Sequence, residues 1–306
     1  MLAFPDRLQA AVVRCQNPVL VGLDPRANML PPGLLASCDV ARPDKIAAAY
    51  GQFCREVIDV VAHRVPAVKP QAAFFEQLGP PCMAALAEVV RYAQEAGLLV
   101  ILDGKRNDIG STAMAYARGF LGRESPWGAD ALTVSPYLGD DSLQPFVDVA
   151  AEQMAGLFVL VKTSNPGGRM IQDLVAEGKP IYRHVADAVE RLAAMTEGDN
   201  EYGAVGAVVG ATYPQQLAEL RMVMPHTWFL VPGFGSQGGT AADVAAAFDP
   251  QGRGAIINNS RGIIFAHSLE PYKGRFGAAG WQEAVEAATN DMIDQLRAET
   301  PAGRLA

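Results

Sequence analysis

The chain has 306 residues, half of them hydrophobic, and a net charge of −8. That length and apolar content can bury a large core, and the acidity argues against a general nucleic-acid binder, which would carry a basic face. No uninterrupted apolar run approaches the ~20 residues that cross a bilayer, and the opening MLAFPDRLQAAVVRCQ lacks the apolar centre of a signal peptide.

In chain order, short aliphatic or β-branched runs alternate with alanine-rich amphipathic stretches. The predicted strands are PVLVGLD (18–24), VPAVKP (65–70), LLVILD (98–103), ADALTV (129–134), GLFVLVK (156–162), AVGAVVG (204–210), TWFLV (227–231) and GAIINN (254–259). DKIAAAYGQFCREVIDVVAH, PCMAALAEVVRYAQEAG and PQQLAELRMVM read as helices between them, and AGWQEAVEAATNDMIDQLRAE as the last helix. Near-continuous apolar strands that alternate with helices mean a parallel sheet covered by helices. Eight such units predict a (β/α)8 TIM barrel, with a doubly wound sheet as the alternative. Nothing breaks the composition, so residues 1–306 read as one domain, with a tail after about Thr300 expected to fray. The four cysteines, Cys15, Cys38, Cys54 and Cys82, form no CxxC pair and have no His at zinc spacing. A reduced, cytoplasmic protein without a metal site is the simplest reading.

A barrel demands that functional side chains gather at the C-terminal strand ends, and the polar residues fall there. Asp24 ends the first strand, Lys69 the second, and Asp103 and Lys105 the third; Ser135 follows the fourth, Thr163, Ser164 and Asn165 the fifth, and Asn258 to Arg261 the eighth. Residues at i and i+2 of a strand share a face, so Asp103 and Lys105 project together into the mouth. Asp108, just beyond, is expected to join them and Lys69 in one cluster of alternating charge. Arg106 points the other way and reads as structural or surface. Buried charges must pair, and pairing of this density often marks function. A lysine between carboxylates keeps its proton. It is then a poor Schiff-base nucleophile but a good general acid toward a developing carbanion.

The strand-seven loop VPGFGSQGG contains GFGSQG at 233–238, a formal G-x-G-x-x-G. A dinucleotide site would need an acid at the tip of the next strand, and that strand ends in asparagines. Phosphate binding by backbone N–H groups at the ends of strands seven and eight fits better, with Gln237 and Arg261 in reach of the anion. The histidines His63, His184, His226 and His267 are scattered and form no metal-like pair.

LDGKRNDIGSTA, with D-x-K-x-x-D at Asp103, Lys105 and Asp108, closely resembles the signature of the orotidine 5′-phosphate decarboxylase family, in its longer bacterial branch. VGLDP, VKPQAAFFE, TVSPYLG, VKTSNPG, VPGFGSQGG and NNSRG occur in the family's order, and the likeness covers roughly residues 15–290. The resemblance implies cofactor-free, metal-free decarboxylation of orotidine 5′-phosphate to uridine 5′-phosphate in pyrimidine synthesis, by a homodimer with shared sites and with neither a nucleic-acid nor a membrane partner. By motif, Asp24 and Lys69 would contact the ribose, Asp103 would face the substrate carboxylate, and Lys105 would protonate C6. Asp108, Ile109 and Thr112 would complete the partner's site. Ser164 would bind the pyrimidine, and Pro232, Gln237 and Arg261 the phosphate. Two alternatives stay open. One is a magnesium-dependent 3-keto-L-gulonate 6-phosphate decarboxylase, which shares the signature but needs a further carboxylate near the metal. The other is a non-catalytic nucleotide-binding barrel, which would have no use for a lysine pinned by carboxylates.

Overall fold

The computed structural model describes residues 2–35, 42–235 and 238–305. Eight strands close into a parallel barrel: β1 (Val19–Leu23), β2 (Ala67–Pro70), β3 (Leu99–Arg106), β4 (Ala131–Val134), β5 (Gly156–Lys162), β6 (Val205–Val209), β7 (Phe229–Pro232) and β8 (Ala255–Asn259). Each pairs with its neighbours in the chain, and β8 returns to β1 with Val19 opposite Ile257. That closure rules out the doubly wound alternative. Every residue of β1, β4, β6 and β8 is buried, because one face fills the barrel and the other packs beneath helices.

The helices Pro43–Val61, Pro80–Glu95 and Pro214–Val223 each have proline in the first turn, where its missing N–H costs nothing and its fixed φ suits the helix. Between β5 and β6 the chain makes a short helix Arg169–Gln172, a two-stranded hairpin and a long helix Ile181–Met195. The hairpin turns at Glu177 and Gly178, with φ of 50° and 82°, the left-handed pair that a tight hairpin requires. No helix among the described residues is long and apolar enough to cross a membrane.

The N-terminal segment adds an element that was not predicted, and the C-terminal tail departs from expectation. The N-terminus forms a helix, Phe4–Cys15, that closes the bottom of the barrel. Phe4 is 1% exposed and meets Phe158 edge-on at 6.1 Å. It occupies the space over Gly156, where a Cβ would lie 2.1 Å from its ring. Arg7 on the same helix ties to buried Asp130, which also accepts from Gln94 and the Val100 N–H. Phe4→Ala should therefore open a cavity and lower unfolding free energy by about 3–5 kcal/mol, read by urea denaturation; a loss under ~1 kcal/mol would mean the helix is not a structural plug. The tail after Thr300, expected to fray, instead forms a turn of 3-10 helix, Pro301–Arg304. Ala302 and Leu305 are buried, and Arg304 donates to the Pro250 carbonyl at 2.9 Å. Burial of two apolar side chains offsets the entropy that frees most termini.

Candidate active site

The C-terminal mouth of the barrel encloses a cavity of ≈ 400 Å³. Its walls carry Asp24, Lys69, Gln71, Asp103, Lys105 and Thr133 on one side and Thr163, Ser164, Asn165, Pro232 and Asn258 on the other. Each stands at or just beyond a strand end, so the parallel barrel itself aims them inward.

The carboxylate of Asp103 organises the near wall. One oxygen accepts from Lys105 Nζ at 2.6 Å and from Thr133 Oγ1 at 2.9 Å; the other accepts from Lys69 Nζ at 2.9 Å and from Gln71 Nε2 at 2.8 Å. Four donors thus saturate one buried carboxylate. Burial alone would raise its pKa, but the Lys69 and Lys105 charges and their hydrogen bonds overcome this and hold the group far below the usual carboxylate range. Burial likewise works against the charge on Lys69, and Asp103 and Asp24 outweigh it, so its pKa is raised. The pair is therefore ionised across the neutral range.

Lys105 reaches Asp103 by a route that simple alternation does not describe. The register of β3 against β4 slips between Leu102 and Arg106, and Lys105 takes a left-handed φ of 45°. Such a bulge strips a backbone donor from the ladder, and Thr133 restores it by accepting from the Lys105 N–H at 2.9 Å. A non-glycine residue in this region costs ~1–3 kcal/mol and persists only where its surroundings enforce it. The Lys105 side chain remains 48% exposed to the cavity.

The far wall hangs on the loop after β5. Lys162 is buried at the strand end, paired with Asp173 and set against the rings of Tyr182 and Tyr213, while Gln172 Nε2 donates to Thr163 Oγ1 at 2.8 Å. These contacts fix the loop that carries Ser164. Gly210, at the end of β6, passes so close that a Cβ there would lie 2.8 Å from Ser164 Cα.

Of the residues expected from sequence, Asp24, Lys69, Asp103, Lys105, Ser164 and Pro232 line this one cavity. Asp108 does not join the cluster within its own chain, which corrects the expected arrangement. It sits at the start of helix Gly110–Phe120, its carboxylate accepting from the Ile109 N–H at 2.8 Å, with Ile109 and Thr112 exposed beside it. None of the three is among the residues that line the cavity. Arg261 opens the short helix Arg261–Ile264 and is not among the residues lining the cavity. Gln237 lies outside the described residues. Sequence reasoning missed Gln71 and Thr133. Thr133 is the only polar side chain of β4, and Gln71 caps the helix Ala72–Glu76, so each carried a faint signal.

A closed barrel with a charge-saturated carboxylate and a lysine facing its mouth defines a (β/α)8 enzyme. A sequence profile of the "Orotidine 5′-phosphate decarboxylase / HUMPS family" matches residues 17–271. The chain is 57% identical to the orotidine 5′-phosphate decarboxylase of Rhodopirellula baltica over 97% of its own length and all of the relative's. It is 42% identical to that of Streptomyces coelicolor over 86% of this chain and 90% of the relative. The structure of the Leishmania donovani OMP decarboxylase superposes with a TM-score of 0.76 at 35% identity, covering both chains in full. The chain belongs to the orotidine 5′-phosphate decarboxylase family.

Proposed function

We propose that this barrel decarboxylates orotidine 5′-phosphate to uridine 5′-phosphate, with Lys105 as the proton donor. The observation that carries the reading is the Asp103 carboxylate, saturated by four donors, which presents the Lys105 ammonium to a cavity at the barrel mouth. The bond from C6 to the carboxylate breaks with its electron pair left on C6, and carbon dioxide departs. The Lys105 ammonium then gives its proton to C6 and is recharged from water. Asp24 and Lys69 hold the ribose, Ser164 the pyrimidine, and Pro232, Gln237 and Arg261 the phosphate.

Asp103 faces the substrate carboxylate. Two like charges ~4 Å apart repel by about 4 kcal/mol at an effective dielectric of 20, too little for a large acceleration. Stabilisation of the carbanion-like transition state by the fixed ammonium must therefore contribute more. Consumption of orotidine 5′-phosphate, followed as a fall in absorbance with EDTA present, tests the reading. Turnover in EDTA is expected; no turnover of orotidine 5′-phosphate would favour the sugar-phosphate alternative.

We further propose a cytoplasmic homodimer in which Asp108, Ile109 and Thr112 complete the partner's cavity. Ile109 is 57% exposed next to Asp108, and Tyr116, Tyr137 and Leu138 are exposed as well; bare apolar side chains of this kind favour a protein contact. Cys15, Cys54 and Cys82 are free thiols, two of them buried, which suits a reducing compartment. Shared sites make a sharp prediction. Lys105→Ala and Asp108→Asn should each be nearly inactive alone. Mixed and re-equilibrated in equal amounts, they should regain about a quarter of wild-type activity, because half of a random set of two-fold dimers carries one intact site. No recovery in exchanged dimers would contradict sharing.

A further inference from the structure

Arg106 has no part in the chemistry above, and its side chain leaves the barrel on the face away from the cavity. Its guanidinium is nevertheless held from three directions, with the side chain only 19% exposed. Nη1 donates to the Gly104 carbonyl at 2.8 Å, inside the bulge that precedes Lys105. Nη2 pairs with Glu76 at the end of helix Ala72–Glu76, whose cap is Gln71, the amide that donates to Asp103. The guanidinium carbon lies 5.1 Å from the ring centroid of Phe120 and 5.9 Å from that of Tyr116, both on the helix that begins just after Asp108.

We propose that Arg106 is the positioning residue for Lys105. It ties the bulge, the Gln71 helix and the Asp108 helix into one rigid frame. That frame keeps Lys105 in its left-handed conformation, with Nζ against Asp103. The chemistry of the clamp requires arginine. Two donors must point at two acceptors while a flat cation lies against aromatic faces, and the ammonium of lysine is a single point charge that does neither. The proposal rests on Lys105 acting as the proton donor, and it concerns how that donor is aimed.

The test compares Arg106→Lys and Glu76→Gln with wild type in kcat, KM, affinity for uridine 5′-phosphate and Tm. Arg106→Lys should lower kcat about 10- to 100-fold, the scale of a misaligned reacting group. KM and product affinity should change much less than kcat, because the far-wall side chains Ser164 and Pro232 are untouched. Glu76→Gln, on the more exposed end of the clamp, should lower kcat in the same direction by less. The double variant should be no worse than Arg106→Lys alone, since both remove one device. An unchanged kcat in Arg106→Lys overturns the proposal. So does a kcat loss matched by an equal rise in KM and a Tm near the assay temperature, which is the signature of a structural role alone. A crystal structure of Arg106→Lys gives a readout independent of turnover: the Lys105–Asp103 pair should be broken, and its survival overturns the proposal. A wild type without turnover, together with a broken pair in the variant, would instead strike the decarboxylase reading and leave the positioning role standing.

Discussion

Asp103→Asn is expected to destabilise the fold by about 3–5 kcal/mol and to abolish measurable turnover. The asparagine keeps the shape but offers one oxygen where four donors converge, and its own amide turns a donor toward one donor pair. Lys69 is buried to 4% exposure and loses the counter-charge that keeps it there. Breaking a buried pair by removing one partner carries a cost of this size because the remaining charge stays in low dielectric. The pH dependence has a definite sign. The depressed pKa of Asp103 makes its contribution fully present above the unfolded value near 4, and lost only as pH falls through the much lower folded value. The raised pKa of Lys69 makes its contribution fully present below the unfolded value near 10.4, and lost as pH rises through the higher folded value. The stability gap between wild type and Asp103→Asn should therefore hold from about pH 5 to 7 and narrow toward pH 9, where Lys69, buried without Asp103, sheds its proton in the variant. Urea titrations at pH 5, 7 and 9 check it, and a gap that closes between pH 5 and 7 would mean the pair is not ionised as described.

Lys105→Ala is expected to lower kcat by about 10⁴- to 10⁶-fold while leaving the fold intact. Loss of a positioned proton donor removes roughly 10²- to 10⁴-fold, and loss of a fixed cation beside a developing carbanion removes ~10²- to 10³-fold more; the two overlap because one group supplies both. Little stability is at stake, since the side chain is half exposed and Asp103 keeps Lys69, Gln71 and Thr133. Binding of uridine 5′-phosphate, measured by calorimetry, should survive within ~10-fold. A variant retaining a tenth of wild-type kcat would remove Lys105 from the centre of the mechanism.

The barrel was legible because each strand is a run of aliphatic residues that only a two-sided burial explains, and because GAIINN supplies an eighth strand to pair with β1. The polar strand ends were legible for the same reason, since a carboxylate or lysine at the tip of a buried run has few other places to go. Alternation placed Asp103 and Lys105 on one face, and they do meet, but through a bulge and a left-handed lysine that no periodicity encodes. Spacing also drew Asp108 toward Lys105, whereas a loop residue three positions on can serve any neighbouring surface. Gln71 and Thr133 carried only a faint signal and the clamp of Arg106 none, because their roles depend on which strands and helices touch. Phe4 and the final turn were missed because short terminal segments reveal their burial only in three dimensions.

The measurement that tests the central claim most directly is deuterium uptake at C6 of uridine 5′-phosphate in D2O. A group that delivers the proton to C6 must also remove it in the reverse direction, and the exchange needs neither carbon dioxide nor a metal. Wild type in EDTA is expected to place deuterium at C6, seen as loss of the C6 proton signal by NMR, and Lys105→Ala is expected to show exchange no faster than buffer. Exchange that persists undiminished in Lys105→Ala would show that another group moves the proton, and would contradict the role assigned here to Lys105.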